Sequence, residues 1–138
     1  MRRQSKKRRE RMDAVRGIRE AYLEVYGHRC VLCGAGGVAV HEISDGPNRS
    51  KSLSEPYTWL CLCWTCNSVK MKDAKQWPEA KQLALQYLTS PSTYDLKAYN
   101  KLVNERAPLR ITQSEVDAFI KELIDGGVVR NVRPPKND

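Results

Sequence analysis

Residues 30–67 read CVLCGAGGVAVHEISDGPNRSKSLSEPYTWLCLCWTCN and contain two Cys-x-x-Cys pairs, Cys30/Cys33 and Cys63/Cys66. A Cys-x-x-Cys turn lets two sulfurs converge on one ion, and two such turns supply the four thiolates of a closed tetrahedral zinc site. A disulfide framework is the alternative, but the N-terminal residues do not resemble a secretory signal, so the thiols are expected to stay reduced. The four cysteines therefore predict a structural Zn²⁺ ion.

The residues between and after the cysteine pairs alternate between turn-forming and apolar runs. They predict a tight turn at 34–37, a strand at 38–40 that ends at His41 and Glu42, a polar loop at 47–56, a return strand at 57–62 and a short helix at 67–72. The fifth cysteine, Cys61, is expected to be a small buried hydrophobe, although it could compete for the ion. We therefore expect a β-β-α unit with zinc at its base.

Apolar residues at helical spacing flank this unit on both sides. They predict a helix at 13–26 that ends at Gly27, a helix from Pro78 to about Leu88 and a helix at 94–104. Thr112 and Glu115 form a possible capping box for a further helix that ends at 126–127, and residues 128–129 are a candidate strand. The expected helical extension, at about 76–127, is a candidate surface for a protein partner.

Positive charge is concentrated at the N-terminus of a chain of 138 residues with a net charge of +8. The cations of residues 1–11 are Arg2, Arg3, Lys6, Lys7, Arg8, Arg9 and Arg11. So dense a run cannot pack, so we expect a disordered arm at 1–11 that binds nucleic acid by releasing counterions from phosphates. A solvated tail and a membrane-surface segment are the alternatives, and the second lacks interleaved apolar residues.

Chain length and composition suit one domain. With 41% hydrophobic residues, 138 residues can build one modest hydrophobic core. We place the single domain at 12–130, with its β-β-α unit at about 28–72, and a flexible tail at 131–138. No apolar run is long enough to span a bilayer. The expected location is cytoplasmic, with no membrane partner.

The string made of the first Cys-x-x-Cys, VHEI at 40–43, a polar loop and LCWTCN at 62–67, with Lys70 following, resembles the HNH group of ββα-metal nucleases. The likeness is to small zinc-bound members that phages often carry, and it covers about residues 30–72, a third of the chain. It implies an α+β fold: a zinc-bound, treble-clef-like ββα-metal core with an N-terminal helix and a helical C-terminal region.

The resemblance also assigns roles to individual residues. It implies that His41 and Asn67 are ligands of a second, catalytic divalent ion, and that Glu42 stands where the family usually has a catalytic His. The family's second-strand Asn corresponds approximately to Thr58. An imidazole and an amide oxygen would accept Mg²⁺, Mn²⁺ or another divalent ion and leave room for water and phosphate.

Phosphodiester hydrolysis needs a base for the attacking water and a cation for the phosphate charge. Glu42 could accept the proton, although Glu is a weaker base than His at neutral pH; alternatively, it and His41 only orient the loop. Arg49 could clamp the scissile phosphate, or it pairs with an acidic neighbour. Lys70 and Lys72 are expected either to contact DNA or to form a solvated face.

Three functions remain open from the sequence. The first is an HNH-like endonuclease that hydrolyses double-stranded DNA with a divalent metal. The second is a catalytically silent zinc module that binds nucleic acid or protein on the same scaffold. The third, an RNA-associated zinc protein, is weakened because the arm and the cysteine turns carry few aromatic residues for base stacking apart from Trp64.

Overall fold

A computed structural model describes residues 5–43, 54–103 and 110–127. Within these ranges the chain is α+β, as expected. The helices are α1 (Lys6–Tyr26), α2 (Glu79–Thr89), α3 (Leu96–Val103) and α4 (Gln113–Asp125); the strands are β1 (Val38–Glu42) and β2 (Trp59–Cys63). Short 3₁₀ turns at Pro56–Thr58 and Pro91–Thr93 and a π-helical turn at Cys66–Lys70 complete the regular structure of the described residues.

The two strands form an antiparallel ribbon in which Val38 pairs with Cys63 and Glu42 pairs with Trp59. Every residue of β2 is buried, whereas β1 is buried only in part. β2 therefore lies at the centre of the core and β1 at its edge. The predicted strand at 38–40 extends through His41 and Glu42, so these two side chains leave opposite faces of the ribbon.

Helix α1 begins earlier than its apolar pattern predicts, because Ser5 accepts a hydrogen bond from the Arg8 backbone N–H and caps it. The expected disordered arm is corrected for 6–11: these residues are helical, and their side chains are exposed. The helix ends at Gly27, as predicted. A Cβ at this position would lie 2.3 Å from the Leu23 carbonyl oxygen, so only glycine fits without a shift of the backbone.

The helical extension packs on the ribbon. Helix α2 packs against α4 and β2, and it begins at Glu79 with Pro78 as its N-cap. The predicted capping box of α4 is confirmed, since Thr112 accepts from the Glu115 backbone N–H while the Glu115 side chain accepts from the Thr112 backbone. Buried side chains of β2 and of all four helices, among them Trp59, Leu83 and Tyr99, build one continuous core.

Several predictions lie outside the described residues. They concern Arg2, Arg3 and Arg49, most of the polar loop, the candidate strand at 128–129 and the tail at 131–138. Among the residues that the structure does describe, no helix combines the length and apolar character needed to cross a membrane.

Candidate metal centre and cleft

The four cysteines of the two Cys-x-x-Cys pairs meet, as predicted. The Sγ atoms of Cys30, Cys33, Cys63 and Cys66 all lie within 4.8 Å of one another, and those of Cys33 and Cys63 are 3.6 Å apart. Thiolates bound about 2.3 Å from a tetrahedral ion are about 3.8 Å apart, so this spacing fits a four-sulfur site. The cluster could hold a metal ion such as zinc.

Backbone hydrogen bonds shape the first cysteine turn. The Cys30 N–H donates to the Ala35 carbonyl, and the Gly34 N–H donates to the Cys30 carbonyl. Gly34 has φ of 81°, a left-handed conformation that glycine adopts without strain. The turn is tied to the sheet because the Val31 N–H donates to the carbonyl of Cys61.

The thiols have different proton affinities before an ion binds. The Cys66 backbone N–H hydrogen-bonds Cys63 and lowers the pKa of the Cys63 thiol to about 7. Desolvation by burial, followed by the neighbouring sulfurs, raises the pKa of Cys66 well above that of a free thiol. Metal binding at this cluster must therefore displace protons.

The fifth cysteine lies outside the four-sulfur cluster. Cys61 is completely buried in β2, and burial raises the pKa of its thiol to about 12. A thiol that stays protonated is a poor metal ligand. The prediction that Cys61 is a small buried hydrophobe is confirmed.

His41 and Asn67 form the centre of a second group of polar side chains. His41 Nδ1 lies 2.8 Å from Asn67 Oδ1, and His41 Nε2 lies 2.8 Å from Gln82 Oε1. β1 carries the imidazole, the turn after the last cysteine carries Asn67, and α2 carries Gln82. Three elements that are distant in sequence therefore converge on one ring.

The turn that carries Asn67 is wider than an α-helical turn. In Cys66–Lys70 the Met71 N–H donates to the Cys66 carbonyl five residues earlier, which defines a π-helical turn. Such turns are rare and often occur at functional sites. Here the turn lets Cys66 face the sulfur cluster while the next residue, Asn67, reaches the imidazole.

Glu42 leaves the other side of β1 and meets helix α1. Its Oε1 accepts a hydrogen bond of 3.0 Å from the guanidinium of Arg19, and the side chains are 10% and 25% exposed, respectively. The guanidinium also lies over the Trp59 ring, 5.0 Å from its centroid. The ion pair is thus partly desolvated, and a cation–π contact supports it.

One open cleft, with a volume of about 970 Å³, takes side chains from both faces of β1, His41 from one and Glu42 from the other. His41, Glu42 and Asn67 line it together with Arg19, Lys72 and Gln82. Lys72 is exposed at this cleft and Lys70 is exposed at the end of the π-helical turn. Trp64, which is 77% exposed, lies at the same cleft.

Thr58, which the sequence resemblance paired approximately with a second-strand Asn, is buried just before β2. Its hydroxyl donates to the Glu55 carbonyl at 2.7 Å, and its own carbonyl accepts from the Ile43 N–H. These bonds secure the backbone on either side of the polar loop. In this position Thr58 helps to fix the end of β1, where Glu42 lies.

Arg19 and Gln82, which contact Glu42 and His41, had no predicted role in the site. The region after residue 72 had no chemically distinctive residue in its pattern, yet it supplies Gln82. A signal existed: Gln82 and Gln86 are four residues apart, so they share one face of α2, and both are buried. A polar pair on a helix flanked by Leu and Ala can indicate buried hydrogen bonds as readily as a solvated face.

Comparisons with known proteins leave the family open. No protein-family model matches the chain, and neither a curated protein nor a solved structure matches it.

Proposed function

We propose that this protein is a metal-dependent DNA endonuclease of the HNH type, with a treble-clef-like core in which Zn²⁺ on the four cysteines has a structural role. One observation carries the proposal: His41 Nδ1 and Asn67 Oδ1 lie 2.8 Å apart in an open cleft beside the sulfur cluster. The resemblance of residues 30–72 to that family, in which these two positions are metal ligands, rests on the sequence alone and supports the proposal independently of this distance.

The spacing of these two atoms suits a hard divalent cation. Two ligands at 2.0–2.2 Å and at right angles around an octahedral ion are about 3 Å apart. A metal-bound imidazole and an amide oxygen are neutral ligands, so a bound Mg²⁺ or Mn²⁺ would keep its full charge toward a phosphate. The ion would stabilise charge on the scissile phosphate and on the departing oxygen, and the open cleft leaves its other positions to water and substrate.

Glu42 is the candidate proton acceptor for the attacking water. It lines the same cleft, and Arg19 holds its carboxylate in one orientation. A phosphodiester that enters the cleft brings a second anion within reach of the Arg19 guanidinium, which binds phosphate well because of its planar set of donors. Arg19 would then bind substrate, and Glu42 would be released to accept the proton.

The basic end of α1 favours DNA as the substrate. Arg8 and Arg19 are eleven residues, or three turns, apart, so they lie on one face of the helix with a rise of about 16 Å between them. This face links the cleft to the exposed cations at 6–11, and about five base pairs of duplex cover the same distance. The predicted role of these cations is affinity for phosphates, which does not depend on base sequence.

The test is nicking of supercoiled plasmid by zinc-loaded protein in Mg²⁺ or Mn²⁺. His41→Ala, Asn67→Ala and Glu42→Ala should each lower the rate by about 10²- to 10⁴-fold, the usual contribution of a general base or an electrostatic group. His28→Ala is the matched control, because His28 is the chain's other histidine, is exposed and is not a cleft residue. Full activity in His41→Ala would refute the proposal.

A second candidate is a catalytically silent zinc module that binds nucleic acid. The ion pair between Arg19 and Glu42 favours it, because a carboxylate that stays bound to a guanidinium is occupied. On this alternative, the wild-type protein binds DNA and no metal supports nicking. Binding that is insensitive to His41→Ala, with no cleavage under any condition, would select it.

A further inference from the structure

We infer that Gln82 is a positioning residue: it holds the His41 imidazole with its proton on Nε2 and thereby leaves Nδ1 bare as a ligand atom for the cation shared with Asn67. The inference rests on the proposed function for the presence of that cation. Gln82 lies outside the stretch that resembles a nuclease. Its role follows from three hydrogen-bond distances and one burial value.

The orientation of the Gln82 amide is fixed by its neighbours. Its Nε2 lies 2.9 Å from the Trp77 carbonyl oxygen, which can only accept, so the NH₂ group must be at that end. Gln82 is 5% exposed, so its amide has little contact with water and its hydrogen bonds to the protein determine its orientation. Its Oε1 is therefore the atom that faces His41.

The amide in turn determines the tautomer of the imidazole. Gln82 Oε1 can only accept, so His41 Nε2, at 2.8 Å, must donate. In the neutral ring the other nitrogen, Nδ1, then carries a lone pair. Asn67 Oδ1, a second acceptor, lies 2.8 Å from this nitrogen.

Two hydrogen-bond acceptors 2.8 Å apart repel each other unless a proton or a cation lies between them or beside them. A divalent cation bound to both atoms satisfies the requirement. An Asn67 amide turned so that its NH₂ group donates to Nδ1 would also remove the repulsion, and so would a second proton on the imidazole. The test must distinguish these two arrangements from a bound cation. A hydrogen-bond acceptor behind a metal-bound imidazole fixes the ring and raises its basicity as a ligand.

The experiment has two readouts besides nuclease activity. The first is the protonation of each ring nitrogen, from long-range ¹⁵N–¹H NMR of the zinc-loaded protein. The chain has two histidines, so His41→Ala assigns the signals. The second is Mn²⁺ affinity, from the EPR signal of free Mn²⁺; a four-thiolate site does not favour this hard ion.

We expect the neutral His41 ring to carry its proton on Nε2 in the wild type. Gln82→Met preserves volume but removes the acceptor, so the dissociation constant for Mn²⁺ should rise by about 10- to 100-fold. Gln82→Glu keeps an oxygen toward the ring but loses the NH₂ group that donates to the Trp77 carbonyl. Its dissociation constant for Mn²⁺ should therefore lie between those of the wild type and Gln82→Met. The matched control is Gln86→Met, one turn along α2, where the side chain donates to the Tyr57 and Trp59 carbonyls. Its Mn²⁺ affinity should not change, whatever its stability.

Three results would overturn the inference. They are a proton on Nδ1, equal Mn²⁺ affinity in Gln82→Met and the wild type, and an equal loss in Gln86→Met, which would indicate a general effect of destabilisation. Absence of Mn²⁺ binding in the wild type would remove the ligand role of His41 along with the proposed function. Normal metal binding that depends on Gln82, without any DNA cleavage, would refute the nuclease and leave the inference standing.

Discussion

The ion pair between Arg19 and Glu42 gives the sharpest test of how helix α1 is attached to the cleft. The perturbation is a double-mutant cycle of Arg19→Met, Glu42→Gln and the combination. Each substitution removes one charge and keeps most of the side-chain volume. The cycle isolates the interaction energy between Arg19 and Glu42, even though both side chains have other contacts.

The expected coupling energy follows from the exposure of the pair. Exposed ion pairs contribute about 0–1 kcal/mol, and breaking a buried pair costs about 3–5 kcal/mol. At 3.0 Å, with side chains 25% and 10% exposed, this pair lies between the two limits, so we expect a coupling of about 2 kcal/mol. Arg19→Met should cost more than Glu42→Gln, because it also removes the cation–π contact with Trp59.

Urea denaturation of the zinc-saturated proteins measures the cycle, with equal m-values required for the comparison. Arg16 and Asp13 provide a control on the same helix: they are 3.5 Å apart, with side chains 68% and 69% exposed. Their cycle, Arg16→Met with Asp13→Asn, should give a coupling below about 0.5 kcal/mol. Equal coupling in the two cycles would refute the assignment of the Arg19 pair as a partly buried link.

Three further predictions concern DNA binding, the thiols and the end of α1. Replacing Arg8, Arg9 and Arg11 by Gln should make DNA binding less sensitive to salt. The negative slope of log K for DNA binding against log salt, measured by fluorescence anisotropy, should become shallower by up to about 0.9 for each phosphate that is no longer neutralised. Zn²⁺ should bind more weakly as pH falls, and calorimetry in several buffers should show about one more proton released per ion at pH 6 than at pH 8, since the Cys63 pKa is about 7. Gly27→Ala should destabilise by about 1–3 kcal/mol in urea denaturation, because its Cβ would overlap the Leu23 carbonyl.

Each of these has a result that would contradict it. An unchanged salt slope would mean that the helical cations at 6–11 do not bind phosphates. If the number of protons released per Zn²⁺ ion is the same at pH 6 and pH 8, the pKa of Cys63 lies outside that pH range. The control for Gly27 is Gly17→Ala, where a Cβ would meet nothing within 4 Å. That substitution should raise the free energy of unfolding by about 1 kcal/mol. A rise in stability at both positions would refute the steric argument for Gly27.

Local patterns were enough to predict the elements that surround the site. The Cys-x-x-Cys pairs, the strand leading to His41 and the Thr112 capping box are each encoded within a few residues, so spacing and residue type specify them. The beginning of α1 was predicted less well. The run of cations at 6–11 suggested disorder because like charges repel one another. In the structure the Ser5 cap, and the continuity of these residues with the part of α1 that buries Val15 and Tyr22, outweigh that repulsion.

The two Cys-x-x-Cys pairs were enough to predict that four cysteines would meet, because each short turn brings its two sulfurs together. The grouping of His41, Glu42 and Asn67 was implied by the resemblance to a nuclease family and not by any short turn. Neither the spacing nor the resemblance revealed which residues of other elements these side chains contact. Arg19 reaches Glu42 across 23 residues and Gln82 reaches His41 across 41. Such contacts depend on how α1 and α2 pack against the ribbon, and a helical pattern specifies which face is buried but not which residue of another element it meets.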